Sequence, residues 1–339
     1  MSTKIINIPE QPPEDGLQSY KEYTLNAEQY YLIDQAFLVP GQKVSFRIFS
    51  LHGQMLKLVL DADESAPAAI DKTTVDEKSD FLIKSSDIPL YQDYLSMLTK
   101  TDSAFKGDKS KAAVIIKEQS KMVMKDLFAN PVSRQTVETV RDTASHIIKC
   151  IFEEPEVIYD LLTLKKHDFY SYMHSVNVAV LCIGLGRIMG LPEKTIEHHG
   201  TGALLHDIGK TAIPLEILNK QGKLSSAEFH IYKTHVAQGM KILKEVGGLP
   251  DESLIIVLQH HEKLTGKGYP LGLSDKEIKT AGRISAIADC YDYLTTPRPN
   301  KYALNPYEAL KTIAAEKEDY DRALLAAFVK MLGKMAKTS

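Results

Sequence analysis

The chain has 339 residues, 44% of them hydrophobic and 25% charged, with a formal net charge of −3. That length accommodates two domains with separate cores, and the composition is that of an ordinary globular protein. The weak net charge excludes a global field that would draw in nucleic acid or an acidic membrane, so an anionic ligand would need local cations.

Residues 1 to about 20 are polar and rich in proline, and read as a flexible lead-in. In "KVSFRIFS" (43–50), Val44, Phe46 and Ile48 alternate with polar neighbours, the period of a strand. A turn glycine follows, then "MLKLVL" (55–60), which predicts a hairpin. The segment 79–98 reads as a strand, a turn and a short helix, and residues 61–80 and 100–110 read as loops. From about 110 onward, apolar residues fall three and four apart, the stripe of amphipathic helices. Two such segments flank Pro131, and Pro155 precedes a shorter one. Further helices are expected at 169–190, 194–207, 226–245, 252–262, 280–294, 305–315 and 321–336. A long polar loop (262–277) interrupts them, a length often tied to function. The fold class expected is α+β overall. A small β-containing N-terminal domain (1–105) precedes a helical connector (106–153) and an all-α bundle (154–339).

Cys150, Cys182 and Cys290 are scattered and form no Cys-x-x-Cys pair, which argues against thiolate zinc sites and redox motifs. The N-terminal segment lacks the apolar core of a signal peptide, and no apolar run approaches the ~20 residues that span a bilayer. The expectation is a cytoplasmic protein with no membrane insertion and no nucleic-acid polymer as partner.

Nine of the 11 histidines lie beyond residue 151, and their placement is uneven. His174 sits in one expected helix, His206 and Asp207 end the next, and His235 lies midway along a third. His260 and His261 close a fourth, and Asp289 lies on a fifth. Each is flanked by apolar or small residues. Any one alone reads as a hydrogen-bonded core histidine or a helix-end group. Five imidazoles and two carboxylates, distributed over successive helices at apolar-flanked positions, fit an internal metal centre better, because buried charge needs a partner. Seven ligands exceed one metal with open positions and suit two metals sharing a carboxylate, with Asp207 the natural bridge. Imidazole with carboxylate suits iron, manganese or zinc. His198 and His199 lie too far before His206 for the same metal and read as supporting or surface residues. His52, His146, His167 and His230 are taken as non-functional.

These segments, "HDIGK", "ILNKQGKLSSAEF", "HVAQGMKIL", "HHEKLTGKGYPLGL" and "RISAIADCYDYLTTPRP", in that order, resemble the HD-GYP family of HD-type metal-dependent phosphohydrolases over about residues 168–335. The signature segment is Gly266, Gly268, Tyr269 and Pro270. The resemblance implies a phosphodiesterase that hydrolyses cyclic di-GMP, mainly to linear pGpG, through a hydroxide bridging two metals, iron being the first candidate. It implies that His174, His206 and Asp289 hold one metal and His235, His260 and His261 the other, with Asp207 bridging. Lys210 would face the scissile phosphate, Arg298 and Lys301 would contact substrate, and Tyr269 would lie beside the pocket.

Three departures from the family pattern stand out. Thr265 replaces an aspartate of the signature loop, Asn300 replaces an aromatic residue, and "DYDR" (319–322) stands where the family has an FDP segment. Tyr170 occupies the position of a glutamate found in trinuclear members, which implies a binuclear centre. The alternatives carried forward are a weakly active or inactive signalling module that binds cyclic di-GMP or proteins, and a hydrolase of another nucleotide phosphoester. The first hundred residues loosely resemble β-rich modules that precede such domains, with a regulatory role implied. Candidate protein partners are GGDEF-type signalling proteins and a second copy of the chain.

Overall fold

A computed structural model describes residues 4–7, 22–25, 29–52, 55–75, 79–101, 108–130, 132–163, 170–220, 222–296, 303–316 and 318–335. The chain divides into two compact units, Met1–Asp108 and Lys109–Ser339.

The first unit carries β1 (Lys4–Asn7), β2 (Glu22–Leu25), β3 (Tyr30–Ile33), β4 (Lys43–Val44), β5 (Ile48–His52), β6 (Met55–Leu60), β7 (Ala68–Ala69), α1 (Lys72–Val75), β8 (Asp80–Lys84) and α2 (Ile88–Thr101). A six-stranded sheet has the order β2-β1-β6-β5-β8-β3, and β4 pairs with β7 apart from it. The expected hairpin is β5–β6, paired antiparallel with a register shift at Ile48/Phe49. Its first strand is shorter than the alternation suggested, because Lys43–Val44 pairs with Ala68–Ala69 instead. Val44, Phe46 and Ile48 are buried as their period requires. The strand, turn and helix expected at 79–98 are β8, a 3-10 turn (Ser85–Asp87) and α2. The reading of residues 1–20 as a flexible lead-in is corrected at Lys4–Asn7, which pairs antiparallel with β2. Phe46 packs edge to face on both Tyr91 and Tyr94, and the buried Tyr94 hydroxyl donates to the Phe37 carbonyl at 2.7 Å.

The second unit is helical: α3 (Lys109–Ala129), α4 (Arg134–Glu153), α5 (Val157–Thr163), α6 (Tyr170–Ile188), α7 (Glu193–Leu205), α8 (Leu215–Leu218), α9 (Ser226–Lys233), α10 (His235–Val246), α11 (Asp251–Gln259), α12 (Thr280–Thr295), α13 (Pro306–Ala315) and α14 (Arg322–Met335). Helix α6 is apolar on nearly every side from Val176 to Leu185 and lies at the centre, packed against α3, α4, α5, α7, α12 and α14. Helix α11 closes over α7 and α12. Each fully buried Val, Leu, Ile or Phe of this core contributes roughly 1.5–3 kcal/mol.

The expected single helix over 226–245 is two. Thr234 ends α9, and its hydroxyl donates to the Ile231 carbonyl at 2.6 Å, competing with continuation of the helix. His235 therefore opens α10 rather than lying mid-helix. A capping box of Ser225 and Glu228 fixes the start of α9.

After α7 the chain makes a 3-10 turn (Ile208–Ala212) that packs directly on α10. Gly209 permits this approach: a Cβ there would lie 1.8 Å from the His235 carbonyl oxygen and 2.4 Å from the Gly239 nitrogen. Gly209→Ala is expected to push the turn off α10 and cost about 1–3 kcal/mol, the usual range for overpacking. A lowered urea midpoint together with reduced metal uptake checks this.

His199, on α7, is 2% exposed, and burial pushes its imidazole down to about 4. Between that value and about 6.5, the unfolded chain holds a proton that the folded chain does not, so acid favours unfolding there. His199→Leu is expected to narrow the loss of unfolding free energy between pH 7 and pH 5, measured by urea titration at both.

Candidate metal centre

Five helices bring the seven expected residues together. His174 projects, buried, from the second turn of α6. His206 and Asp207 follow the last turn of α7, and His235 opens α10. His260 caps α11 with His261 next to it, and Asp289 lies on α12. His206 and His235 are 0% exposed, and His174, Asp207 and His260 are 2% exposed.

Asp207 lies at the middle. Its Oδ2 is 3.3 Å from His206 Nε2 and 3.6 Å from His174 Nε2. Its Oδ1 is 3.4 Å from His235 Nε2 and 4.0 Å from His260 Nε2. One carboxylate thus presents an oxygen to each of two imidazole groups. Asp289 joins the first group through Oδ1, 3.0 Å from His174 Nε2, while its Oδ2 is 3.6 Å from His261 Nδ1. Two potential metal-holding sets emerge, His174 with His206 and Asp207, and His235 with His260 and His261.

The outward ring nitrogens are held by carbonyls and a carboxylate, which turns the other ring nitrogens inward. Nδ1 of His206 donates to the Ala203 carbonyl at 2.7 Å, and that of His235 to the Tyr232 carbonyl at 2.7 Å. Nδ1 of His260 reaches the Val257 carbonyl at 2.9 Å. Nδ1 of His174 lies 2.7 Å from Asp292 Oδ2, and that carboxylate also accepts from Asn177 at 2.8 Å and Thr296 at 3.1 Å. With the proton held on Nδ1, Nε2 of His235 and of His260 keeps its lone pair for the centre. Nε2 of His235, His260 and His261 and Oδ1 of Asp207 are buried without a hydrogen-bond partner. Orphaned buried acceptors are costly, and this cluster of them fits cations.

The electrostatics agree. Burial lowers His235 to about 4 and His261 to about 3, and takes His260 well below its ordinary value, so all three are neutral at pH 7. Burial would raise Asp207, but His206 and Lys210 outweigh it and hold the carboxylate well below the usual range. Burial likewise opposes the ionisation of Asp289, and His174 and His261 reverse the effect. His174 rises to about 10 against its own burial, because Asp289 and Asp292 demand positive charge there. Lys210 forms a direct ion pair with Asp207, which keeps it charged despite burial.

The signature loop lies beside these histidines. The Tyr269 ring is 4.5 Å from that of His261, and Tyr269 N–H donates to the His261 carbonyl at 3.2 Å. Glu262, 1% exposed, accepts from Leu271 N–H at 2.7 Å and Leu273 N–H at 2.9 Å, which folds the loop back on its own stem. Thr265 donates to Asp319 at 2.6 Å, so the hydroxyl at this departure is tied to the "DYDR" segment. Asp321 in that segment pairs with Arg283 at 2.9 Å. Arg298, Asn300 and Lys301, and the side chain of Tyr170, lie outside the described residues. His198 pairs with Glu252 at 2.7 Å, away from the centre.

Sequence reading did not single out Asp292, Asn177 or Glu262. The first two were available as polar residues three positions after Asp289 and His174, on the same helix faces. Glu262 follows His261 directly, and nothing in its local pattern shows that it binds backbone nine and eleven residues on.

A family described as "HD domain" matches residues 156–324. The chain is 34% identical over 223 residues to the cyclic di-GMP phosphodiesterase PA4108 of Pseudomonas aeruginosa, covering 65% of this chain and 54% of that protein. It is 34% identical to a cyclic di-GMP phosphodiesterase of Thermotoga maritima over 53% of this chain and 49% of that one. It is 35% identical to the 3'3'-cGAMP-specific phosphodiesterase 2 of Vibrio cholerae, covering 48% and 31% of the two chains. The chain thus spans about half or less of the length of these curated relatives. Among solved structures, Bd1817, an HDG"Y"P protein from Bdellovibrio bacteriovorus, superposes with a TM-score of 0.69 at 22% identity, covering 90% of this chain and 99% of that one, which shows the shared fold. No helix among the described residues is long and apolar enough to cross a membrane. Residues 156–324 of the chain belong to the HD domain family.

Proposed function

We propose that the protein is a metal-dependent phosphodiesterase that opens cyclic di-GMP, mainly to linear pGpG, at a binuclear centre. The observation that carries this reading is the division of the Asp207 carboxylate between two sets of imidazoles, with unpartnered buried nitrogens on His235, His260 and His261. In this reading His174, His206 and Asp289 hold one metal, and His235, His260 and His261 hold the other. Asp207 would serve both, and iron is the first candidate, with manganese or zinc as alternatives. When bound there, such metals would supply Lewis acidity, acidifying water and polarising phosphoryl oxygens.

The chain's own residues do the rest. Asp207 and Asp289 stay ionised and offset the charge of the cations. The carbonyls of Ala203, Tyr232 and Val257, together with Asp292, hold the imidazoles in the tautomer that presents Nε2. Lys210, charged and anchored on Asp207, stands where it can offset the negative charge that grows on the phosphoryl oxygens as the diester is attacked. Tyr269 walls the His261 side. Arg298 and Lys301 are retained as phosphate contacts, Arg298 by bidentate donation and Lys301 as a point charge. The N-terminal unit is assigned a regulatory role, with GGDEF-type proteins or a second copy as partners. The 3'3'-cGAMP-specific relatives support a second reading of substrate, in which one guanine is replaced by adenine.

Full-length protein loaded anaerobically with iron, or with manganese, is expected to convert cyclic di-GMP to pGpG. Asp207→Ala should lower turnover to that of metal-free protein. Equal rates for the two proteins would remove the activity from this site, and a preference above tenfold for 3'3'-cGAMP in the same assay would move the substrate to the second reading. Asp292→Asn, which leaves the His174 position filled but weakens its orienting carboxylate, is expected to reduce metal affinity roughly 10- to 100-fold. Metal titration followed by calorimetry measures this.

A further inference from the structure

Helix α9 carries a feature that the metal chemistry does not use. Phe229 is 44% exposed, although it lies on a helix anchored to the centre through Tyr232 and His235. Its ring lies 6.3 Å from that of Tyr232 at an interplanar angle of 13°, and 6.1 Å from that of Tyr269 at 83°. Tyr232 in turn lies 5.1 Å from the His235 ring, and Tyr269 lies 4.5 Å from that of His261. A continuous run of rings therefore leads from solvent to two of the proposed metal ligands. Two lysines accompany it. Lys233 Nζ is 5.2 Å from the Phe229 ring centre and 5.8 Å from that of Tyr269, and Lys210 Nζ is 5.6 Å from that of Tyr232. Among the described residues no carboxylate pairs with Lys233.

Phe229 leaves an aromatic face open to a ligand beside the polar centre. Aromatic faces interleaved with cations are the chemistry that holds single-stranded nucleotides: bases stack on rings and phosphates meet ammonium groups. We infer that Phe229 and Lys233 form a nucleotide subsite at the mouth of the metal centre, Phe229 stacking on one base of the cyclic dinucleotide and Lys233 meeting its phosphate backbone. The subsite rests on the proposed phosphodiesterase reading for the identity of its ligand. The carboxylates and imidazoles fix where the phosphate goes, and this patch fixes where a base goes. Stacking is tolerant of base identity, so the subsite contributes affinity for either cyclic di-GMP or 3'3'-cGAMP rather than discrimination between them.

The test uses the metal-loaded full chain. Phe229→Ala is expected to raise KM for cyclic di-GMP roughly tenfold, the scale of one lost base stack, with metal content unchanged, and Phe229→Trp is expected to restore it. Lys233→Gln is expected to weaken binding and to flatten the salt dependence of kcat/KM. Equilibrium binding measured by calorimetry, apart from turnover, separates the two claims. If the wild type binds without turnover and Phe229→Ala loses the binding, the subsite stands and the phosphodiesterase reading fails. If both proteins turn over with the same KM, the subsite is overturned and the reading stands. If the wild type neither binds nor hydrolyses a cyclic dinucleotide, both are overturned.

Discussion

A buried carboxylate with two faces organises the helical unit. Asp207 has lost its water, and an ion in that position is costly unless positive charge surrounds it. His174 and His206 stand at one oxygen, His235 and His260 at the other, and Lys210 pairs with it directly. Those partners come from α6, α7, α10 and α11, so the helices must converge for the charge to be tolerated at all. The same convergence makes the inward nitrogens available together. Stability and chemistry are coupled here, since Asp207 Oδ1 and Nε2 of His235, His260 and His261 are buried without a hydrogen-bond partner.

Much of this was legible in the sequence because these histidines and aspartates lie within or at the ends of otherwise apolar helices. "SYMHSVNVAV" and "GALLHDIGK" place imidazoles where a purely structural helix would carry Leu or Ala. The helical stripe also gave the elements of the second unit to within a few residues at most ends. It failed at Thr234, where a side-chain hydroxyl bonded to the preceding turn splits one expected helix in two and sets His235 at a helix start. In the first unit, alternation correctly marked Val44, Phe46 and Ile48 as inward. It could not show that Lys43–Val44 leaves the hairpin for Ala68–Ala69, because periodicity assigns a face and not a partner. Lys4–Asn7 escaped for the same reason: its strand identity comes from pairing with Glu22–Leu25 rather than from its own pattern.

The residues that escaped sequence reading act at one remove. Asp292 and Asn177 orient His174, and the carbonyls that orient the other imidazoles have no sequence signature. Glu262 spends its charge on two backbone amides of the signature loop. Gly268 completes that fold: a Cβ there would lie 2.5 Å from the Glu262 Cα, so the loop closes on its stem only because the position is glycine. The Thr265 departure is accommodated by Asp319, which gives the loop an attachment to the C-terminal helices. The loop therefore keeps Tyr269 against His261 despite the altered residue.

The account stands or falls on two cations sharing Asp207. Anomalous diffraction from crystals of the metal-loaded protein, recorded at the absorption edge of the added metal, measures this directly. It should show two peaks about 3.5–4 Å apart, one among His174, His206 and Asp289 and one among His235, His260 and His261, with an Asp207 oxygen facing each. A single peak, or peaks beyond the reach of Asp207, would contradict it.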